Sequence, residues 1–468
     1  MVEKVRATRS HEIDMCSGPL LGKILTFALP LAASGVLQLL FNAADIVVVG
    51  RWAGDNSLAA VGSNTALINL LVNLFVGLSI GTNILAARFV GALNREAVRS
   101  TVHTSMLLSL VSGIFLALVG FFAAEPLLLL MQVPPAILPL SALYLRIYFL
   151  GMPATMVYNF GAALLRAVGD TRRPLVFLLL SGVVNVGLNL IFVIVFSMDV
   201  AGVALATVIA QCLSAFLVVR CLCHEEGDIH LDLKALRFDK LRLRQILAIG
   251  IPSGLQSVAF ALSNVIIQSS INGFGETVIS GNTAAANIDS FIYVAFNAFY
   301  QANVAFTSQN YGAGRWERLR PIAVCCVGCS AVTALVLGVG SFLAGETLLS
   351  IYTRSEAVIA AGMVRMAIVA LPYVLGSLMD AIVGSIRGMG YSVLPMVVTM
   401  LGACGLRILL IATVFQLPRY HTVETIYLTY PITWTVTFLA HVVCLTIAFR
   451  RLKKRDANWK HHHLMGHH

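Results

Sequence analysis

The sequence predicts an all-α integral membrane protein of twelve transmembrane helices, arranged as two parallel-repeat lobes of six. Three observations predict it: a composition too apolar for a soluble domain, long apolar stretches recurring from end to end, and a second half that repeats the first. Of 468 residues, 58% are hydrophobic and 12% charged, where a soluble domain carries roughly 25% charged residues; the mean hydropathy is +0.86. About 18 apolar residues suffice to cross a hydrocarbon core of roughly 30 Å as a helix. Helices are the expected form because lipid offers no partner to open backbone groups.

Residues 1–23 are polar and charged and lack a small-residue cleavage site, so the first span itself is expected to direct insertion. The first lobe, residues 24–223, is expected to hold spans at 25–49, 58–87, 98–123, 137–165, 174–196 and 200–219. Residues 224–245 form the only long charged stretch between spans and the natural boundary between lobes. As a basic amphipathic segment this linker could lie on an anionic leaflet, or act simply as a tether. The second lobe, 246–449, repeats the pattern with spans at 246–271, 278–309, 322–343, 358–386, 394–415 and 423–449. A basic, histidine-rich tail, 450–468, follows; its histidines are assigned no role. Pro30 and Pro252 recur in spans one and seven, and Pro153 and Pro372 in spans four and ten, where proline permits kinks.

The formal charge of +10 reflects topology rather than a nucleic-acid surface. Counting loops alternately, 26 of the 32 Lys and Arg residues fall on one side, and only Arg51, Arg354 and Arg419 on the other. Arg146, Arg365 and Arg407 lie inside spans. The positive-inside rule therefore places both termini in the cytoplasm of a cell with the chain in its plasma membrane.

The halves match segment by segment. "ILTFALP" at Ile24 answers "ILAIGIP" at Ile246, "VGALNREAVR" at Val90 answers "YGAGRWERLR" at Tyr311, and "LRAVGDTRRPL" at Leu165 answers "IRGMGYSVLPM" at Ile386, at offsets of 222, 221 and 221. Six spans per half is an even number, so the repeat is parallel, about an axis along the membrane normal. Two such lobes suit alternating access around a shared site.

Of the nine cysteines, nearly all sit in or at the ends of spans, where a thiol behaves as a small hydrophobe. Cys325, Cys326 and Cys329 lack a second ligand pair at metal spacing, so no metal site is expected. No Walker motif, HExxH pair or nucleophile elbow is present, which argues against ATP-driven transport and catalysis, so no enzyme and no cofactor is expected.

The functional candidate is Asp45. A carboxylate in a spanning helix costs about 2.5–3.5 kcal/mol on insertion scales and is a functional hypothesis by default. Ser34, Gln38, Asn42 and Asp45, at spacings of four, four and three, form one polar stripe, better explained by a cavity than by lipid. Asp45 lies five residues before Gly50, about 7 Å from the helix end at 1.5 Å per residue, so an acid merely wetted from outside is the alternative. Against it, the repeat puts Ile266 or Ile267 at the twin position, so the fold does not need the acid. Asn185 and Asn189 lie four apart on one face of span five. Amide neighbours can hydrogen-bond a carboxyl in either protonation state, so such a group can exchange a proton, and while ionised it attracts a cationic substrate or sodium. Coupling then reduces to competition for one charge. In the second lobe Asp289, Asp380 and Arg407 are secondary candidates, with Arg407 available to pair with either acid as a structural ion pair.

These residues together resemble the multidrug and toxic compound extrusion (MATE) family over essentially all of residues 20–451, with the DinF-like branch nearest because the acid lies in the first span. The resemblance rests on "Q-x-x-F-N-x-x-D-x-x-x-V-G" in span one, "G-A-x-N-R-E-A" after span two, "L-R-A-x-G-D-T-R-R-P" before span five, "Q-N-Y-G-A-G" after span eight and "R-G-M-G-Y-S" after span ten. It implies a monomeric exporter of amphipathic, often cationic, small molecules in exchange for protons or sodium, with Asp45 carrying the coupling ion. It also implies that Asn185 and Asn189 form the fifth-span network, with Asn159 of span four near it. Asn189 stands where some relatives have a second acid, which favours protons over sodium. Asp380 resembles the tenth-span acid tied to sodium in NorM-like members, without the seventh-span glutamate that accompanies it there. Other classes remain: a lipid or lipid-linked-saccharide flippase, which needs a basic cavity where only Arg407 is central, and a passive channel, which would not need an acid in one repeat alone.

Overall fold

A computed structural model describes residues 11–465, with side chains described over 11–454; the first ten residues and the tail side chains lie outside the described residues. All regular structure among the described residues is helical. The long helices are α1 (Leu20–Trp52), α2 (Asp55–Gly91), α3 (Arg95–Phe122), α4 (Leu138–Leu150 with Met152–Ala167), α5 (Arg172–Val195) and α6 (Asp199–Cys223) in the first half. The second half holds α7 (Lys240–Asn272), α8 (Glu276–Gly312), α9 (Trp316–Leu343), α10 (Glu356–Ala370 with Tyr373–Gly388), α11 (Val393–Gln416) and α12 (Val423–Met465). Nine described helices are long and apolar enough to cross a membrane, and eleven spans qualify when each bent pair is counted as one. The chain is a multi-pass membrane protein.

The twelfth span, α8, does not qualify by hydropathy, because it carries Asn282, Asp289, Asn303, Thr307, Ser308, Gln309 and Asn310. All seven are buried, so protein rather than lipid meets them. Asn303, for instance, donates to the Ala381 carbonyl and to Ser385 Oγ, both at 2.8 Å.

The prolines divide into two kinds. Pro30 and Pro252 lie within continuous helices. Pro153 and Pro372 mark breaks, with bends of 46° in α4 and 43° in α10. The repeat is visible in the backbone: Gly54 and Gly275, 221 residues apart, open α2 and α8 at φ 97° and 94°, and Gly169 and Gly390 stand before α5 and α11 at φ 90° and 98°. Only glycine takes such angles without strain. The "GDTRRP" stretch is thereby explained as structure, since Asp170 Oδ1 accepts the Arg172 and Arg173 N–H groups at 3.1 Å and so caps α5.

By contacts the chain forms two compact units, Leu25–Ala261 with Met1–Ser17, and Leu262–His468 with Gly18–Ile24. The division therefore falls inside α7, not in the charged linker. The reason is local: Gly250 and Gly254 of α7 lie against Gly77 and Gly81 of α2, two G-x-x-x-G stripes packed backbone to backbone. A Cβ on Gly250 would stand 2.6 Å from Leu78 Cα. The linker is itself docked on the first unit. Ile229 and Leu231 are buried. Its backbone N–H at Asp232 donates to His103 Nε2 and that at Asp239 to Thr104 Oγ1, both at 3.1 Å. Arg173 bridges Asp170 to Glu225, and the Arg242 guanidinium sits 4.5 Å from the Phe89 ring centre.

Candidate functional site

In the first unit α1 and α5 meet closely enough that Gly182 leaves room for the Phe41 ring, one turn before Asp45. That approach brings three predicted residues together. Asn185 Nδ2 donates to Asp45 Oδ1 and Oδ2 at 3.2 and 3.4 Å, and Asn189 Nδ2 donates to Oδ1. Both amides are buried, and the Oδ1 of each has no hydrogen-bond donor. An ionised Asp45 thus holds two amide N–H groups while two buried carbonyl oxygens stand idle beside it. Half a turn of either amide presents its oxygen instead, which a protonated carboxyl would satisfy. The Asp45 site can be satisfied in either charge state.

Other predicted residues do not join it. Asn159 donates to the Thr155 carbonyl of its own helix at 2.9 Å, and Ser34 Oγ to Pro30 O, also at 2.9 Å. Gln38 and Asn42 are exposed and hydrogen-bond nothing among the described residues. The polar stripe exists as a face of α1, but only its last member is held by another helix.

In the second unit the expected pairing of Arg407 with an acid is overturned. Asp289 of α8 is taken by Arg365 of α10, whose Nε and Nη2 both donate to Asp289 Oδ2, at 3.2 and 3.0 Å. Arg365 Nη1 donates to Asn282 Oδ1 at 2.9 Å, and Asn282 passes the chain on to Gln268 at 3.1 Å. Asp289 is thus held in a buried ion pair, with one oxygen left unbonded. Arg365 stands directly before the π turn Met366–Ala370 of α10, and its meeting with α8 is one that sequence spacing could not disclose. Asp380 is half-buried and has no hydrogen bond or ion pair among the described residues.

Arg407 is 1% exposed and also lacks an acid. Its Nη2 donates to Thr433 Oγ1 at 3.1 Å, its guanidinium lies 4.2 Å from the Tyr430 ring centre, and its Nε has no partner. Arg365, Asn282, Thr433 and Tyr430 are the residues that reading the sequence missed; the signal available was an arginine inside a span of the lobe that holds Asp289. Among the described residues no group of three or more His, Cys, Asp or Glu could hold a metal ion, and the nine cysteines are free.

The comparisons with known proteins agree with this architecture. The family model MatE matches twice, at residues 30–191 and 252–413. The probable multidrug resistance protein YoeA of Bacillus subtilis (strain 168) is 25% identical over 422 residues, covering 88% of this chain and 90% of that protein. A FAD transporter of Shewanella oneidensis is 24% identical over 350 residues, 72% of this chain and 73% of its own. A crystal structure of MATE in complex with MaL6 superposes with a TM-score of 0.89 at 21% identity over 96% of this chain and 100% of that one, a likeness that speaks for the fold. With both halves matched and the twelve helices in place, the chain belongs to the MatE family of multidrug and toxic compound extrusion transporters.

Proposed function

We propose that this transporter exports amphipathic, often cationic, small molecules across the plasma membrane by antiport against protons, with Asp45 as the coupling group. The observation that carries the reading is the Asp45 carboxylate held by two buried amides with idle carbonyl oxygens, at a position whose repeat twin is apolar. While ionised, Asp45 attracts a cationic substrate; once protonated it no longer does, and its hydroxyl turns to an amide oxygen. Substrate and proton then compete for one charge, and each weakens the other's binding by the same factor. Alternating access follows if the two loaded states favour different conformations. The loop charges support cytoplasmic termini, and cysteine labelling of a loop on each side tests that orientation. The names of multidrug relatives support the substrate class.

The test is ethidium efflux in inverted vesicles under an imposed pH or sodium gradient, wild type against Asp45→Asn. The expected outcome is efflux driven by the pH gradient in the wild type and reduced to passive leak in the variant. Undiminished gradient-driven efflux in Asp45→Asn would remove Asp45 from coupling, and efflux driven by sodium alone would replace the proton.

A further inference from the structure

The second unit buries more positive than negative charge at one place. Arg365, Arg407 and Asp289 leave one positive charge over. Both guanidinium groups lie on the same ring, at 5.6 and 4.2 Å from the Tyr430 centre. Tyr427, within 5.7 Å of Arg365, is buried with its hydroxyl unpartnered. A buried guanidinium with one neutral hydrogen bond is costly, and stacking on a ring offsets only part of that cost. The unused donors here are Arg407 Nε and the Tyr427 hydroxyl.

The repeat sharpens what this place is. Helices α5 and α11 start and end 221 residues apart, but each contains a π turn at a different point, Ile191–Val195 in α5 and Met400–Leu406 in α11. A π turn accommodates one extra residue. Between the two insertions the halves therefore run 222 apart, which puts Arg407 at the position of Asn185 and Ile411 at that of Asn189. Where the first unit has an acid held by amides, the second has isoleucines and a cation.

We propose that Arg407 is the centre of an anion-accepting site for the carboxylate of a flat, aromatic substrate, so that the transporter takes amphiphiles bearing an acidic group, zwitterions included. A cluster of aromatic side chains adjoins the guanidinium through Tyr430. Tyr373 stacks on Trp434 at 5.1 Å, Trp434 meets Tyr430 edge-on at 5.5 Å, and Phe296 meets Tyr373 at 5.2 Å. Gly376 seats Trp434, since a Cβ there would stand 3.2 Å from the indole. A carboxylate on Arg407 completes the donor set and leaves the cluster neutral; a pure cation finds no partner there. The transport consequence rests on the export reading above, but the binding itself does not.

The test is equilibrium dialysis of the detergent-purified full chain, without any gradient, against radiolabelled 1-naphthoate, neutral 1-naphthamide and cationic 1-naphthylmethylamine. Saturable binding of naphthoate is expected, about tenfold or more weakened in Arg407→Gln, as for loss of a charge-assisted contact, and largely kept in Arg407→Lys. Thr433→Val, which frees the guanidinium from its anchor, should weaken binding by a smaller factor, and serves if Arg407→Gln does not elute as a single species. Equal affinity for naphthoate and naphthamide, or unchanged binding in a well-folded Arg407→Gln, would overturn the proposal. Displacement of naphthoate by inorganic phosphate at equal concentration would also overturn it, by assigning the site to a free inorganic anion. Arg407-dependent binding without gradient-driven export of naphthoate would support the site, overturn its transport consequence, and leave export of cations through Asp45 untouched.

Discussion

Asn189 and Asn159 are the same residue type, each four positions after a polar neighbour, yet they differ in what their amides hold. Asn189 donates to Asp45, whereas the Asn159 N–H is taken up by the Thr155 carbonyl. A hydrogen bond to a charged group contributes about 1.5–3 kcal/mol, so Asn189→Ala should slow pH-driven efflux about tenfold or more. Asn159→Ala should stay near wild type in the same inverted-vesicle assay, and an equal loss in both would mean that the site extends beyond its hydrogen bonds. Asp45, Asn185 and Asn189 were legible because an acid on one spanning helix and two amides four apart on another each need a polar partner away from water. Asn159 was suggested by family resemblance, which fixes a span but not a rotamer. The Arg365–Asp289 pair was illegible, since it depends on how α8 and α10 approach. Removing one partner of a buried pair costs about 3–5 kcal/mol, whereas apolar replacement of both is often near neutral. Asp289→Ala should therefore lower the thermal midpoint in detergent markedly, and the double variant Asp289→Leu with Arg365→Met should recover much of it.

At the scale of elements, hydropathy recovered the helices whose faces meet lipid and blurred those whose faces meet protein. Helix α8 was expected as an apolar span like the others, yet it falls short of the rest in hydropathy, and its buried amides show why. Proline stands at the breaks in α4 and α10, whereas Pro30 and Pro252 lie inside helices that continue without a break. The linker is the element whose docking most depends on polar chemistry. Ser100 Oγ donates to Asp239 Oδ2 at 2.6 Å, and that hydrogen bond, aided by the Arg242 and Leu241 N–H groups, holds the Asp239 carboxyl below its ordinary value. A depressed carboxyl stabilises its contacts above the ordinary aspartate range, near about 3.9, and the contribution disappears as pH falls through the lowered value. Amide protection factors over residues 224–245, taken relative to the intrinsic rate at each pH, should thus fall at acid pH in the wild type. In Asp239→Asn the fall should be smaller, starting from lower protection at neutral pH.

At the scale of the whole chain, two similar halves have been given different chemistry and unequal borders. The repeat was readable from three offsets, and with it the number of spans. The border was not, because charge marks the linker whereas contact density is set by small residues. The stretches "GLSIG" at Gly77 and "GIPSG" at Gly250 carry the G-x-x-x-G spacing openly, but spacing alone does not say which helices will meet. Their meeting means that a cut in the linker severs α7 from the unit against which its first part packs. Fragments 1–239 and 240–468, co-expressed with an affinity tag on the first only, should therefore copurify in mild detergent. Gly77→Leu should abolish or strongly reduce that copurification, because a side chain there would have to displace the Gly254 backbone. The uncut Gly77→Leu chain, extracted in parallel, separates loss of the contact from loss of the first fragment. Copurification of wild-type fragments that survives Gly77→Leu unchanged would mean that contacts other than the glycine stripes hold α7 in place.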